Sequence, residues 1–222
     1  MNLLGLVLLA LFSLANEQQS ADIFDLDGKE KLFTFSSQRT FDKQTMRYTA
    51  TFKNLQGDVV AEESAEVTQG ILVKYNVERS PTQEKGVIEV KDGKIHFSYT
   101  EKTKTSTAKE KLNDNTLVSA MLIPFLTTHL KELIDNKDVG FRYAVWFRKE
   151  VIGFKFSLDK VEGQNVTVKM IPSNLLYRSL VNPIYFTLDK TSQKVISIKG
   201  RSLPKIQMDG AWRDFDGLAK YH

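Results

Sequence analysis

The sequence predicts a mainly β fold with a minor α component: a curved antiparallel sheet, or half-barrel, wrapped around a central helix at about residues 116–134. Three observations predict this fold. Apolar and polar residues alternate along most of the chain, short polar turns separate the alternating segments, and one central apolar stretch follows helical spacing instead. Short connections favour antiparallel neighbours, because parallel strands need long crossovers.

Period-two alternation predicts about ten strands, each with one apolar face. The segment at residues 46–52 is a clear example, and the segment at 71–77 repeats its pattern. The predicted inward faces are Met46, Tyr48, Ala50 and Phe52 in the first segment, and Ile71, Val73, Tyr75 and Val77 in the second. Because every segment has one apolar face, we expect the sheet to have one buried side.

A tight hairpin is predicted within residues 86–101, "GVIEVKDGKIHFSYTE". Two alternating runs flank Asp92-Gly93, and this pair provides the positive φ that a two-residue turn requires. The hairpin should therefore turn at these two residues.

The central stretch "TLVSAMLIPFLTTHLKEL" (116–133) has apolar residues at helical spacing, and Asn113, Asp114 and Asn115 before it offer N-cap side chains. Its strictly apolar part is too short to span a membrane. Pro124 should kink the helix or divide it in two.

A second short helix is expected at 173–181. The candidate ligand groove on the central helix consists of Met121, Leu122, Phe125, Leu126 and His129.

The first 15 residues, "MNLLGLVLLALFSLA", read as a signal peptide, because a short apolar run ends in small residues that suit signal peptidase. Residues 16–222 then form a single β-rich domain with no integral membrane span. The chain has no cysteine. An exported β protein without disulfides is typical of a bacterial periplasm. We therefore expect a periplasmic or secreted bacterial protein that is soluble after cleavage.

Several functional classes are not supported by the sequence. The net charge of +4 comes from scattered basic residues, which does not favour nucleic-acid binding. The three histidines are dispersed, so no metal site is predicted, and no Gly-rich phosphate loop or nucleophile elbow occurs. We expect no cofactor and no enzymatic activity. The remaining enzymatic alternative is a hydrolase that uses Asp214, Asp216 or His129.

Two C-terminal segments, "VKMIPSNLLYRSLVNPIYFTLDK" (168–190) and "ISIKGRSLP" (196–204), carry a resemblance to exported bacterial proteins of unknown function. The arrangement of strands around one helix also resembles the half-barrel of LolA-like periplasmic proteins. The residues that carry the resemblance are Met170, Pro172, Ser173, Pro183, Ile184, Phe186, Gly200 and Arg201. It implies a role in handling hydrophobic ligands or in envelope assembly, without catalytic residues.

Our leading hypothesis is a non-enzymatic periplasmic protein whose concave face binds an acyl chain, another lipid or an apolar protein segment. The first alternative is a structural or interaction protein of the cell envelope, in which the helix completes a filled core and no ligand binds. The hydrolase is the second alternative. The sequence does not determine the oligomeric state.

Overall fold

The computed structural model describes residues 16–179 and 181–222, so the predicted signal peptide at 1–15 lies outside the described residues. The mainly β fold with a central helix is confirmed. In the described part of the chain, no helix has the length and apolar character needed to cross a membrane.

One antiparallel sheet contains all fifteen strands of the described residues, rather than the ten or so predicted. The strands are β1 (Glu17–Phe24), β2 (Lys31–Asp42), β3 (Thr45–Lys53), β4 (Val59–Thr68), β5 (Ile71–Arg79), β6 (Glu84–Lys91), β7 (Lys94–Glu101), β8 (Lys104–Lys111), β9 (Thr116–Leu117), β10 (Val139–Val145), β11 (Glu150–Glu162), β12 (Asn165–Pro172), β13 (Ile184–Asp189), β14 (Val195–Met208) and β15 (Ala211–Tyr221). A short 3-10 helix, Ser80–Thr82, joins β5 to β6.

The sheet consists of two meanders that meet at the chain's first and last described strands. Strands β8 to β1 are neighbours in order, β1 pairs with β15, and β15 to β9 complete the sheet. Strand β14 contacts β4 and β5, although several strands separate them in sheet order. These contacts show that the sheet is strongly curved. The only exception to antiparallel pairing in the described sheet is β9, which pairs parallel with β10 after a helical crossover.

That crossover consists of helices α1 (Ser119–Thr128) and α2 (Leu130–Ile134). Helix α1 lies against the concave face: Ser119 hydrogen-bonds to β4, and Phe125 packs on Phe141 of β10 with ring centroids 5.6 Å apart. The helix begins at Ser119, slightly later than the approximate start of 116 that was predicted. Residues 116 and 117 form β9, and the N-cap residue is Val118, without a side-chain cap.

The break in the helix also differs from the prediction, because it lies at His129 rather than at Pro124. Proline has no N–H, so it leaves the carbonyl of Ala120 one turn earlier without its helical partner. The guanidinium of Arg39 donates to this carbonyl at 3.5 Å. The hydroxyls of Thr127 and Thr128 donate to the Pro124 carbonyl at 3.0 and 2.9 Å, in competition with the backbone where α1 ends.

The predicted inward face of β3 is confirmed, since Met46, Tyr48, Ala50 and Phe52 are all buried. In β5 the prediction is wrong at the start of the strand: Leu72 is buried, whereas Ile71 and Val73 are exposed. An irregularity in the β4–β5 pairing shifts the register there. A shift of one residue exchanges the two faces of a strand.

The predicted second helix is shorter than expected. Helix α3 contains only Leu175–Arg178, and residue 180 of the predicted span lies outside the described residues. Arg178 donates a hydrogen bond of 2.7 Å to the Pro172 carbonyl at the end of β12, which holds the helix beside that strand.

Trp146 joins the two halves of the sheet. It follows β10, is buried, and packs against Gly86 of β6. A Cβ atom at Gly86 would lie 2.5 Å from the indole ring, so the close contact requires glycine at this position. The guanidinium of Arg79 covers the same indole at 5.0 Å from the ring centroid.

A group of charged side chains, which we call the ionic brace, connects the same two halves; its centre, Arg79 and Glu84, is buried. It contains Arg79 of β5, Glu84 of β6, Lys205 of β14 and Asp214 of β15. Arg79 lies 3.4 Å from Glu84 and 3.3 Å from Asp214, and Lys205 lies 2.9 Å from Glu84. Arg79 and Asp214, which are 135 positions apart in sequence, are therefore in direct contact.

The ionic brace keeps Glu84 ionised. Burial alone would raise the pKa of its carboxyl, but hydrogen bonds from Thr82, Lys205 and Tyr99, together with the charge of Arg79, outweigh burial and lower the pKa to about 2. The folded protein therefore favours the carboxylate more strongly than the unfolded chain does. This difference stabilises the fold above the ordinary pKa of 4.5 and is lost as pH falls towards 2.

The hairpin turn gives a first prediction. Both turn residues have positive φ as predicted, 51° at Asp92 and 67° at Gly93. Gly93→Val should lower the free energy of unfolding by about 1–2 kcal/mol, because a β-branched residue resists positive φ. Gly140→Val is the matched control: its φ is not positive and the space around its Cβ position is open. Urea unfolding should show a loss at Gly93 only; equal effects at both glycines would contradict the role of the turn.

The ionic brace gives a second prediction. Glu84→Gln should lower the free energy of unfolding by about 3 kcal/mol at neutral pH, because the buried cations lose their counter-charge. The difference from wild type should shrink as pH falls from 4.5 towards 2, where the wild-type carboxylate is itself protonated. Urea unfolding at several pH values measures both effects.

Glu78→Gln is the control for this experiment, because Glu78 forms an exposed salt bridge with Lys85. Its loss should cost about 0–1 kcal/mol. A deficit of Glu84→Gln that is the same at every pH would mean that the carboxylate charge does not stabilise the fold.

Candidate functional site

The concave face of the sheet and helix α1 enclose a cavity of about 340 Å³. This volume lies within the range of small-molecule binding sites. Most of the wall is apolar. Both halves of the sheet contribute to it, with Ile23, Phe35, Phe52, Ile152, Phe154 and Phe186 among the lining residues. Helix α1 contributes Ala120, Leu122 and Ile123.

Small residues at inward positions leave space beside the cavity. Ala61 and Ala65 share the inward face of β4, and Ala50 lies directly opposite Glu63 in the β3–β4 pairing. On the other side, Gly200 of β14 is paired with Gly217 of β15, and both line the cavity. At the two glycines the neighbouring chain is close: a Cβ atom at Gly200 would lie 3.0 Å from the Ile184 Cα atom, and one at Gly217 2.8 Å from the Phe24 carbonyl oxygen.

Glu63 lies at the centre of the polar part of the wall. Strand alternation places it on the inward face of β4, where it is only 7% exposed. Its carboxylate accepts hydrogen bonds from Tyr75 at 2.6 Å and from Ser119, and a long bond from Tyr48 at 3.4 Å. Tyr48 and Tyr75 reach it from both neighbouring strands, because each is paired with Ala65.

Two more tyrosines line the same cavity. Tyr143 comes from β10 and Tyr221 from β15. Within the described residues, neither hydroxyl has a hydrogen-bond partner. Burial and then the nearby charge of Glu63 raise the pKa of both phenols, so both tyrosines feel the electrostatic field of this carboxylate. The four tyrosines remain neutral donors at physiological pH.

Burial raises the pKa of the Glu63 carboxyl, and the hydrogen bonds from Ser119, Tyr75 and Tyr48 oppose this shift only in part. Among the described residues, no lysine, arginine or histidine forms an ion pair with it. A buried carboxylate without a cation is costly unless a counter-charge or a proton reaches it. Glu63 is therefore the least compensated charged group of the cavity wall.

Arg39 lines another part of the wall and is 6% exposed. Its guanidinium lies 2.6 Å from the Glu17 carboxylate and 5.5 Å from the centroid of the Tyr48 ring. Its Nε is buried without a hydrogen-bond partner in the described structure. The charge of Arg39 is thus neutralised by Glu17, while one of its donors is unused.

The exposed end of the cavity is bordered by Phe147, Arg148, Tyr177 and Arg201. Phe147 is 41% exposed, although its neighbour Trp146 is buried. The cations at this end already have partners: Arg148 is paired with Glu150, and Arg201 lies 2.9 Å from Asp216. This end can therefore admit an apolar molecule without presenting an unpaired positive charge.

The structure distributes the predicted groove residues over four environments. Leu122 lines the cavity, Leu126 is fully buried, and Met121 and Phe125 line a separate surface groove of about 640 Å³ beside β5 and β9. His129 lies outside both spaces and its Nδ1 is 2.9 Å from Glu132. Helix α1 therefore has a different space on each side, which helical spacing alone does not show.

The residues that carry the family resemblance lie partly at the cavity. Met170, Gly200 and Arg201 line it, and Ile184 packs against Gly200, whose φ of 142° favours glycine. Pro172 is buried and Ser173 exposed at the end of β12, where the Ser173 N–H donates to the Gly153 carbonyl at 2.9 Å.

Asp214 and Asp216, the candidate carboxylates of the hydrolase alternative, both form ion pairs or hydrogen bonds with other side chains. Asp214 belongs to the ionic brace and also lies 3.2 Å from Arg201, while Asp216 accepts a hydrogen bond of 2.7 Å from Asn182. Within the described residues, no cluster of histidine and acidic side chains could hold a metal ion.

Glu63, Arg39 and the four cavity tyrosines were not predicted from the sequence as a group. One signal was present. Glu62 and Glu63 are adjacent in a strand, so alternation must point one of the two inward. The assembly of the tyrosines depends on cross-strand pairing, which local patterns do not encode.

No protein-family model matches the chain, and no curated protein matches it in sequence. Among solved structures, the chain is similar to the crystal structure of a β-barrel-like protein of Domain of Unknown Function DUF1849 from Brucella abortus. The two are 14% identical with a TM-score of 0.43, over 94% of this chain and 96% of that chain. That protein is described as β-barrel-like and of unknown function; a likeness to LolA-like proteins stays a prediction.

Proposed function

We propose that the protein binds one small hydrophobic or amphipathic molecule, such as an acyl chain, between the concave face of its sheet and helix α1. The observation that carries the proposal is the largely apolar cavity of about 340 Å³. A core that only stabilises a fold is normally packed without voids larger than a water molecule. An enclosed apolar volume of this size is suited to a ligand.

The distribution of polar groups supports the same proposal. Ligand sites combine an apolar lining with a few polar groups that orient the ligand. Here the polar groups lie at Glu63 and Arg39, and the exposed end has an apolar side chain, Phe147. An elongated molecule could thus enter past Phe147 and place its polar end inside.

We propose a binding role rather than an enzymatic one. Asp214 and Asp216, which were the candidate acid pair, are engaged with arginines and Asn182. His129 is near Glu132 and does not line the cavity. In the cavity the Ser119 hydroxyl donates to the Glu63 carboxylate, but no histidine or lysine of the described residues lines the cavity to complete the usual nucleophile–base arrangement.

We further propose that this binding takes place in the bacterial periplasm or after secretion. The supports are the apolar run at residues 1–15 and the absence of cysteine from the sequence. A structural protein of the cell envelope with a filled core is the alternative, and the experiment below distinguishes the two.

Binding of a neutral fluorescent probe, N-phenylnaphthylamine, tests the proposal. The probe should bind the wild-type protein with an increase in fluorescence and about one site per chain. Ala219→Trp should abolish this binding or weaken it at least about tenfold, because Ala219 lines the cavity and an indole there would occupy its volume. Fluorescence titration measures both, and native mass spectrometry of the exported protein shows any ligand that it already carries.

Ala211→Trp is the matched control, since it makes the same substitution at an exposed position of the same strand. It should bind the probe like the wild type. If the wild-type protein binds no probe and carries no ligand, or if Ala219→Trp binds as well as Ala211→Trp, the cavity is not a ligand site.

A further inference from the structure

The cavity contains one buried charge that the protein itself does not balance. Glu63 accepts hydrogen bonds only from hydroxyl groups, those of Tyr48, Tyr75 and Ser119. The other buried charges near the sheet interior are paired: Arg39 with Glu17, and Arg79 with Glu84 and Asp214. Within the described residues, Glu63 is therefore the buried carboxyl group of the cavity wall that has no cationic partner.

One oxygen of this carboxylate remains available. Tyr75 and Ser119 both donate to Oε2, whereas Oε1 receives only the 3.4 Å contact from Tyr48. A carboxylate oxygen accepts two hydrogen bonds readily. Oε1 can thus accept a strong, charge-assisted hydrogen bond from a molecule in the cavity.

The surroundings of Glu63 are also suited to a cation. Four tyrosines, Tyr48, Tyr75, Tyr143 and Tyr221, line the cavity and interact electrostatically with this carboxylate. Aromatic rings attract ammonium groups through their quadrupole, and do so most strongly where water is excluded. The hydroxyls of Tyr143 and Tyr221 have no partner in the described structure, so their oxygens can accept hydrogen bonds.

We infer that the cavity selects amphiphiles whose inward end carries a primary ammonium group, which binds Glu63 among the four tyrosines while the alkyl chain occupies the apolar part. This inference rests on the proposed function. An ammonium group has three donors and supplies the missing positive charge. A fatty-acid carboxylate at the same place would meet a like charge, and an alcohol would form a hydrogen bond without charge compensation.

Arg39 is the one feature that favours the opposite polarity. Its Nε is an unused donor on the same cavity wall, and it could receive a carboxylate. Its charge is already balanced by Glu17 at 2.6 Å, so a second carboxylate would bring an excess of negative charge. The arginines of the lining are paired with Glu17, Glu150 and Asp216, whereas Glu63 has no cationic partner in the described structure, and this difference favours the ammonium ligand.

Three amphiphiles of equal chain length test this inference: dodecylamine, dodecanol and dodecanoic acid, each below its micelle concentration. Isothermal titration calorimetry on the full folded chain at neutral pH measures the three Kd values. The Kd of dodecylamine should be at least about tenfold lower than that of dodecanol, and the Kd of dodecanoic acid should be the highest of the three. In Glu63→Gln the preference of amine over alcohol should fall to within about threefold.

Glu62→Gln is the control variant. It removes the same charge from the neighbouring residue of β4, whose side chain is exposed on the opposite face. It should retain the wild-type preference, which separates a local effect of Glu63 from a change in net charge. Circular dichroism checks that both variants are folded, and the ranking of ligands by the wild type decides the question even if Glu63→Gln does not fold.

The outcomes separate this inference from the proposed function. If dodecanol or dodecanoic acid binds at least as tightly as dodecylamine, the cavity is a ligand site but the ammonium inference is wrong, and tighter dodecanoic acid would indicate Arg39 instead. An amine preference that persists in Glu63→Gln would also overturn it. If none of the three binds, the proposed function itself is wrong.

Discussion

The ion pairs between Arg79, Glu84, Lys205 and Asp214, with Arg79 and Glu84 buried, determine the shape on which the rest of the structure depends. A single sheet of fifteen strands in the described chain has a large apolar face, and that face must be covered. The ionic brace holds the two meanders opposite each other, so that each covers the other. Trp146 over Gly86 excludes water beside the brace and thereby strengthens its electrostatic interactions. The cavity lies between this curved sheet and helix α1, and large apolar and aromatic side chains form most of its wall.

Helix α1 is held in this enclosure by polar contacts at its start and not by apolar packing alone. Ser119 donates to Glu63, and Arg39 donates to the Ala120 carbonyl that Pro124 leaves free. The same two charged residues also line the cavity. Glu63 and Arg39 therefore both hold helix α1 in place and lie where a ligand would bind. A ligand that changes the hydrogen bonds of Glu63 would act directly on the first turn of α1.

Much of the fold could be predicted because its signals are local. Alternation identified the buried face of β3, and Asp92-Gly93 identified the turn between β6 and β7. The failures have non-local or irregular causes. The shifted register between β4 and β5 buries Leu72 in place of Ile71 and Val73, and no local pattern encodes that shift. The site was harder still, since Glu63 and its four tyrosines come from five different strands. Pairing of β4 with β3 and β5 brings Tyr48 and Tyr75 to Glu63, and the curvature of the sheet adds Tyr143 and Tyr221 to the same cavity wall.

The pairing of β1 with β15 has a consequence for how the chain folds. Strands β2 to β8 can pair with their sequence neighbours as soon as they exist, since each contact is local. Ala21, in contrast, is aligned with Tyr221, so the seam between the two meanders closes across nearly the whole chain. Closing so long a loop is entropically costly and makes folding slow. During synthesis, β1 can pair with β2, but its other edge has no partner until β15 has been made. Until β15 pairs with it, this edge of β1 is open to other partners. A chain that crosses a membrane unfolded would complete its sheet only on the far side.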